Sequence, residues 1–199
     1  MKNTTLFLVS VLVLLIFSQM RCSAEPQELG DVQWQRNLDE TLKNRTKEAK
    51  DKPVFLLFQE VPGCSTCVNF GQGALSHPLL VDAIENEFTP VAVYNNKAGG
   101  DAKTLKEFSE PSWNNPVVRI IDQKKNDLAN RISYGNYSIA SISHQMIRSL
   151  KISKQKVPVY LQLLNEQTKP KQEKATFAMY CFWTGEVELG KLHGVSQTE

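Results

Sequence analysis

Two places in the 199-residue sequence combine residue types that do chemistry. Cys64-Ser65-Thr66-Cys67 sets two thiols three residues apart, so a single helical turn brings the sulfurs together and lets them close a small disulfide ring. A cysteine at a helix start faces unpaired backbone N–H groups and the positive end of the dipole, and both favour the thiolate. With Cys64 at that start, its thiolate attacks a disulfide, and Cys67 resolves the mixed species by displacing the substrate. The second place is Cys181-Phe182-Trp183 with Glu186, delivered by a strand-like apolar run that begins at Ala175. Sulfoxide reduction asks for a nucleophilic thiol, an apolar pocket for an S-methyl group and an acid to protonate the departing oxygen. Those types occur there in that order.

A bland reading competes with the first site. Cys64 and Cys67 would form a fixed disulfide, and the chain would be a non-catalytic interaction or folding-assistance protein. Such a small ring adds little stability compared with a bridge that closes a long loop. Metal binding is a weaker reading. One CxxC supplies two thiolates where a structural zinc takes four ligands, and His77, His144 and His193 have no paired spacing. No metal and no cofactor is expected.

Elements must position these residues. Residues 32–50 carry a partial apolar face of Val32, Leu38 and Leu42, with Trp34 as an anchor, and predict a helix. Residues 54–58 are apolar without interruption, as in a strand buried on both faces. The CxxC opens a short helix weakened by Gly71 and Gly73. Pro78 opens another helix through Phe88, and residues 91–94 read as a second buried strand. Asp101 is placed to cap a helix running to Phe108. Residues 111–115 are irregular and 117–121 make a third strand. A polar turn at 123–126 joins that strand to 128–133, predicting a hairpin. Residues 139–150 form an amphipathic helix, and 159–164 a short one. Strand–helix alternation implies parallel pairing by right-handed crossovers, so the expectation is a mixed α/β sheet with helices on both faces.

The stretch 32–150 resembles the thioredoxin superfamily. The resemblance rests on the apolar strand at 54–58, the Cys64-Ser65-Thr66-Cys67 motif, and Asn115-Pro116 just ahead of strand 117–121. It implies a thioredoxin-like mixed sheet flanked by helices and thiol–disulfide oxidoreductase activity. It also implies a cis Pro116 lying against the CxxC, where it helps the site accept an extended substrate. Gly63 stands where many thioredoxins have tryptophan, and Ser65-Thr66 replace their Gly-Pro. The buried acid that assists resolution in that family falls at Phe58 and is missing.

Residues 175–199 resemble the opening of the peptide methionine-S-sulfoxide reductases, whose motif reads Gly-Cys-Phe-Trp followed by a glutamate. The match continues through Leu189, Leu192-His193-Gly194-Val195 and Thr198. It implies Cys181 as nucleophile, Phe182 and Trp183 as the methyl pocket, and Glu186 as proton donor. Tyr180 replaces the motif's first glycine. The family's remaining sheet, its oxygen-binding tyrosines and its recycling cysteines have no counterpart, so this extension is incomplete and its own reductase activity is an alternative function. Sulfoxide reductases are re-reduced by a thioredoxin-type dithiol, and tethering the two raises the local concentration of reductant.

Residues 1–24 read as a secretory signal. Lys2 precedes an apolar run at 6–17 broken only by Ser10, and small residues end the segment at Cys22-Ser23-Ala24. The run is shorter than the roughly 20 residues a membrane span needs. Removing the leader takes Lys2 and Arg21 out of 23 basic residues and leaves 21 against 21 acidic ones. A bulk-charge nucleic-acid partner is thereby disfavoured. With 41% hydrophobic and 22% charged residues the chain can build a packed core. The sequons at Asn44 and Asn136 agree with export and predict exposed positions. The expected organisation is a signal peptide at 1–24, a thioredoxin-like domain at 25–164, a linker at 165–174 and the reductase-like segment at 175–199. Protein disulfides or oxidised methionines are the expected substrates, in the secretory pathway or outside the cell. No nucleic-acid partner is expected, and no membrane contact after signal cleavage.

Overall fold

A computed structural model describes residues 26–46, 49, 51–169, 175–178, 181–195 and 197–198. The signal segment at 1–24 lies outside these residues. The chain divides into two compact units, one ending at Lys169 and one beginning at Pro170.

In the first unit, strands β1 (Val54–Gln59), β2 (Thr89–Tyr94) and β3 (Val117–Ile121) form a sheet in the order β2-β1-β3. The β1–β2 pair is parallel, with Leu57 opposite Ala92, and β1–β3 is antiparallel, with Leu57 opposite Val118. Successive residues of a strand face opposite sides, and both sides of β1 are covered. Phe55 and Leu57 join one apolar cluster, while Val54, Leu56 and Phe58 join the other. That is why β1 is apolar without interruption.

Helices α2 (Ser65–Gln72), α3 (Pro78–Glu87), α5 (Ile139–Ile152) and α6 (Val159–Thr168) pack on the Phe55 side. Helices α1 (Leu38–Asn44) and α4 (Gly100–Glu107) cover the Phe58 side through Leu38 and Leu105. This is the mixed α/β class, a sheet flanked by helices in the thioredoxin-like manner, that the strand–helix order implies.

Four local expectations are corrected. Residues 32–37 are not helical. Gln35 N–H donates to the Pro90 carbonyl and Ala92 N–H donates to the Gln35 carbonyl, which extends the outer edge of β2. The helix starts only at Leu38, where the Asn37 side chain accepts from Glu40 N–H. Asp101 is not the cap of α4. Gly99 precedes that helix with a φ of 79°, a conformation that suits glycine, and the Asp101 carboxylate instead pairs with Arg36 at 2.9 Å.

The hairpin after β3 shrinks to isolated bridges, Val118 with Ile132 and Ile121 with Asp127. Between them Asn130 N–H donates to the Gln145 side chain, which takes it out of any ladder. Finally, the first residues of the expected linker are helical. Asn165 is buried in α6 and donates to the Ala140 carbonyl and to Ser143 Oγ. Residues 170–174 fall outside the described ones.

In the second unit, α7 (Phe182–Gly190) follows residues 175–178, which are exposed and without regular structure rather than strand. Both sequon asparagines, Asn44 and Asn136, are exposed. Among the described residues no helix is long and apolar enough to cross a membrane.

Candidate active site

Strand β1 ends at Gln59, and the loop that follows delivers Cys64 as the N-cap of α2. The turn is clipped from below. Gln59 Nε2 donates to the Glu28 carbonyl at 2.6 Å and to the Cys67 carbonyl at 3.0 Å, while Gly63 N–H donates to Glu28 Oε1 at 2.7 Å. A side chain at Gly63 has no room. Its Cβ would lie 2.7 Å from Cys67 Cβ and closer still to the Glu60 carbonyl. Glycine at position 63 therefore allows the loop to pack against the second cysteine.

The two sulfurs are 3.8 Å apart. Cys64 is exposed and Cys67 is fully buried. Backbone N–H groups of Cys67 and Thr66, helped by the Cys67 thiol and Thr66 hydroxyl, hold the Cys64 pKa below the ordinary thiol value against a smaller burial effect. Burial pushes Cys67 the other way, to about 11, and the neighbouring Cys64 adds to the rise. The exposed sulfur thus gives up its proton more readily than the buried one.

The Asn115–Pro116 peptide bond, just ahead of β3, is cis. Asn115 Oδ1 accepts from the Cys67 thiol at 2.8 Å. The Pro116 carbonyl accepts from the Tyr137 hydroxyl at 2.8 Å, and Tyr137 stacks against Phe70 of α2 with ring centroids 5.2 Å apart. Arg119 and Arg131 anchor the approach to this segment through the buried Glu110 carboxylate.

Several of these groups escaped the sequence reading. Glu60, Cys64 and Cys67 offer ligand or proton-transfer atoms that all lie within 4.8 Å of one another. Glu60 and Glu28 are single carboxylates with no local pattern. Asn115 carried a signal only through its neighbour Pro116. Three ligand atoms are one fewer than a closed tetrahedral zinc site takes.

In the second unit Cys181 is exposed and is the N-cap of α7. The Thr184 hydroxyl, then the backbone N–H groups of Thr184 and Trp183, lower its pKa below the ordinary thiol value. Glu186 sits half-buried one turn further along the same helix, and Trp183 is exposed. Gly185 is the one fully buried position among the described residues of this unit, so they build no enclosed methyl pocket. The Phe182 side chain lies outside the described set.

The CxxC at the helix start after β1, with a cis proline opening an antiparallel β3, defines the thioredoxin-like class of α/β fold. No protein-family model matches the chain, and no curated protein matches it. Among solved structures it is similar to one described as a DsbH oxidoreductase, at 18% identity and a TM-score of 0.47. That match covers 66% of this chain and 92% of the other.

Proposed function

We propose that the protein is an exported thiol–disulfide oxidoreductase of thioredoxin type. The Cys64 thiolate attacks one sulfur of a substrate disulfide, forming a Cys64–substrate bond and releasing the other substrate sulfur as a thiolate. Cys67 then loses its proton and attacks Cys64 Sγ, which releases the second substrate thiol. The substrate gains two electrons and the chain becomes the Cys64–Cys67 disulfide, to be re-reduced by an external dithiol. Glu60 accepts the Cys67 proton in place of the acid that Phe58 displaces.

Pro116 shapes the substrate groove. Because its own carbonyl is held by Tyr137, the neighbouring Asn115 backbone carries the hydrogen bonds to an extended substrate. The observation that supports this reading best is the opposite shift of two thiols 3.8 Å apart, one lowered and exposed, one raised and buried.

An insulin-type disulfide reduction assay with dithiothreitol tests it. Wild type is expected to accelerate precipitation of the reduced chains, and Cys64→Ser is expected to fall to the uncatalysed rate. Equal rates for the two proteins would leave the inert-disulfide reading standing. Export by residues 1–24 predicts a mature product beginning near Glu25, readable by intact mass.

The reductase-like tail makes oxidised methionine a second substrate class, with Cys181 as nucleophile, Phe182 and Trp183 at the methyl group and Glu186 as acid. The lowered Cys181 pKa at a helix start favours this reading. Turnover of a methionine-S-sulfoxide substrate that vanishes in Cys181→Ser would support it, and no turnover by wild type would remove it.

A further inference from the structure

The fold adds a third donor to the two thiols of the CxxC. Glu60 stands in the loop between β1 and α2, four residues ahead of Cys64. One of its carboxylate oxygens and the Sγ atoms of Cys64 and Cys67 all lie within 4.8 Å of one another. Both cysteines are free thiols. Two thiolates and a carboxylate are donors that a zinc ion takes.

The spacing of the sulfurs is that of a chelate. Two sulfurs bound to one zinc at the tetrahedral angle, each about 2.3 Å from it, stand about 3.8 Å apart. Cys64 Sγ and Cys67 Sγ are 3.8 Å apart before any ion arrives. An oxygen and a sulfur on the same ion stand about 3.6 Å apart. The Glu60 carboxylate therefore closes by about 1 Å at most, a small shift for a half-buried side chain.

Cys64 is exposed and Glu60 is half-exposed, which gives an ion a route from solvent. Cys67 is fully buried and is reached from the side that Cys64 occupies. Water supplies the fourth position, as in zinc sites with three protein ligands.

We propose that the reduced pair binds one Zn²⁺ through Cys64 Sγ, Cys67 Sγ and a Glu60 oxygen, and that the ion withholds both sulfurs from disulfide exchange. Binding forms two Zn–S bonds and one Zn–O bond, releases the two thiol protons to solvent and changes no oxidation state. Metal capture needs only the free dithiol, whereas its inhibitory effect rests on the oxidoreductase reading. Thiolate ligands select zinc over magnesium.

The test uses the full chain with Cys22→Ser and Cys181→Ser, so that Cys64 and Cys67 are its only cysteines. After reduction and removal of the reductant without oxygen, it is titrated with Zn²⁺ against a chromophoric chelator. Co²⁺ is titrated in parallel, because its visible spectrum reports tetrahedral thiolate ligation. One Zn²⁺ per chain is expected, with a Kd below about 1 μM, and no binding of Mg²⁺.

The disulfide form is expected to bind no zinc, and Cys67→Ser to bind at least about a hundredfold more weakly. Glu60→Gln and Glu60→Ala, each measured below its own melting temperature, are expected to weaken binding about tenfold or more. One equivalent of zinc is expected to stop single-turnover reduction of a disulfide peptide, and a chelator to restore it.

No saturation by about 10 μM Zn²⁺ would overturn the proposal, as would one ion shared between two chains. Equal binding by the disulfide form, unchanged affinity in both Glu60 variants, or undiminished peptide reduction with zinc bound would do the same. A protein that binds zinc in this way yet reduces no peptide in its absence would remove the oxidoreductase reading and uphold the metal site.

Discussion

Cys67→Ser is expected to arrest the protein on its substrate. In the first step only Cys64 acts, and its thiolate is exposed and stabilised by the Cys67 and Thr66 backbone N–H groups. Serine leaves that backbone unchanged, so attack proceeds and a Cys64–substrate disulfide forms. Resolution needs a sulfur beside Cys64, and the serine hydroxyl cannot take its place because it does not displace thiols. Multiple turnover is expected to drop on the order of a thousandfold, as when one member of a catalytic pair is removed. Intact mass after mixing with a disulfide peptide should show the peptide added at Cys64. Release of free peptide thiol at the wild-type rate would mean that Cys67 is not the resolving group.

Glu110→Ala is expected to give the largest loss of stability, and it acts on the site through the fold. The Glu110 side chain is 2% exposed and accepts from Arg119 Nε at 2.8 Å and from Arg131 Nε and Nη2 at 2.7 Å. Removing the carboxylate leaves Arg131 without its carboxylate partner and Arg119 with Asp127 alone. Breaking a buried pair from one side costs about 3 kcal/mol, towards the low end here because water reaches part of both arginines. Glu110 also opens the segment that ends at Asn115–Pro116, so activity should fall with stability.

The same group gives a pH signature. Burial pushes the Glu110 carboxyl up, but its bonds to Arg131 and Arg119 outweigh that and hold it below the ordinary 4.5. A carboxyl with a lowered folded-state pKa stabilises the fold above its unfolded pKa. That contribution is lost as pH falls through the folded value. In urea unfolding, the gap between wild type and Glu110→Gln should be widest at neutral pH and narrow below about pH 4. A gap that stays constant with pH would contradict the charged role.

Much of this was legible in the sequence because the signals were local. The apolar run in β1 reflects burial on both faces, and the CxxC and Asn115-Pro116 are short motifs with a mechanical reason. What was not legible depended on partners distant in the chain. Val32, Leu38 and Leu42 fit a partial helical face, yet Gln35 pairs with β2 more than fifty residues later. In the segment after β3, the Asn130 N–H goes to Gln145, a side chain from α5, instead of to a strand partner. Glu28 and Glu60 reach the cysteines through folding alone, since a lone glutamate has no spacing to read. In the tail the residue order was clear, but Cys181 and Trp183 are both exposed.

The proposed function requires that Cys64 and Cys67 cycle reversibly between dithiol and disulfide. Equilibration of the protein in glutathione buffers of graded ratio, followed by acid quench, alkylation and mass spectrometry of the Cys64–Cys67 peptide, measures this directly. One reversible two-electron transition is expected, the same from the oxidised and the reduced side, with glutathione bound at Cys64 only as a minor intermediate. A pair that stays oxidised or reduced across the whole range, or a persistent glutathione adduct that Cys67 fails to resolve, would contradict it.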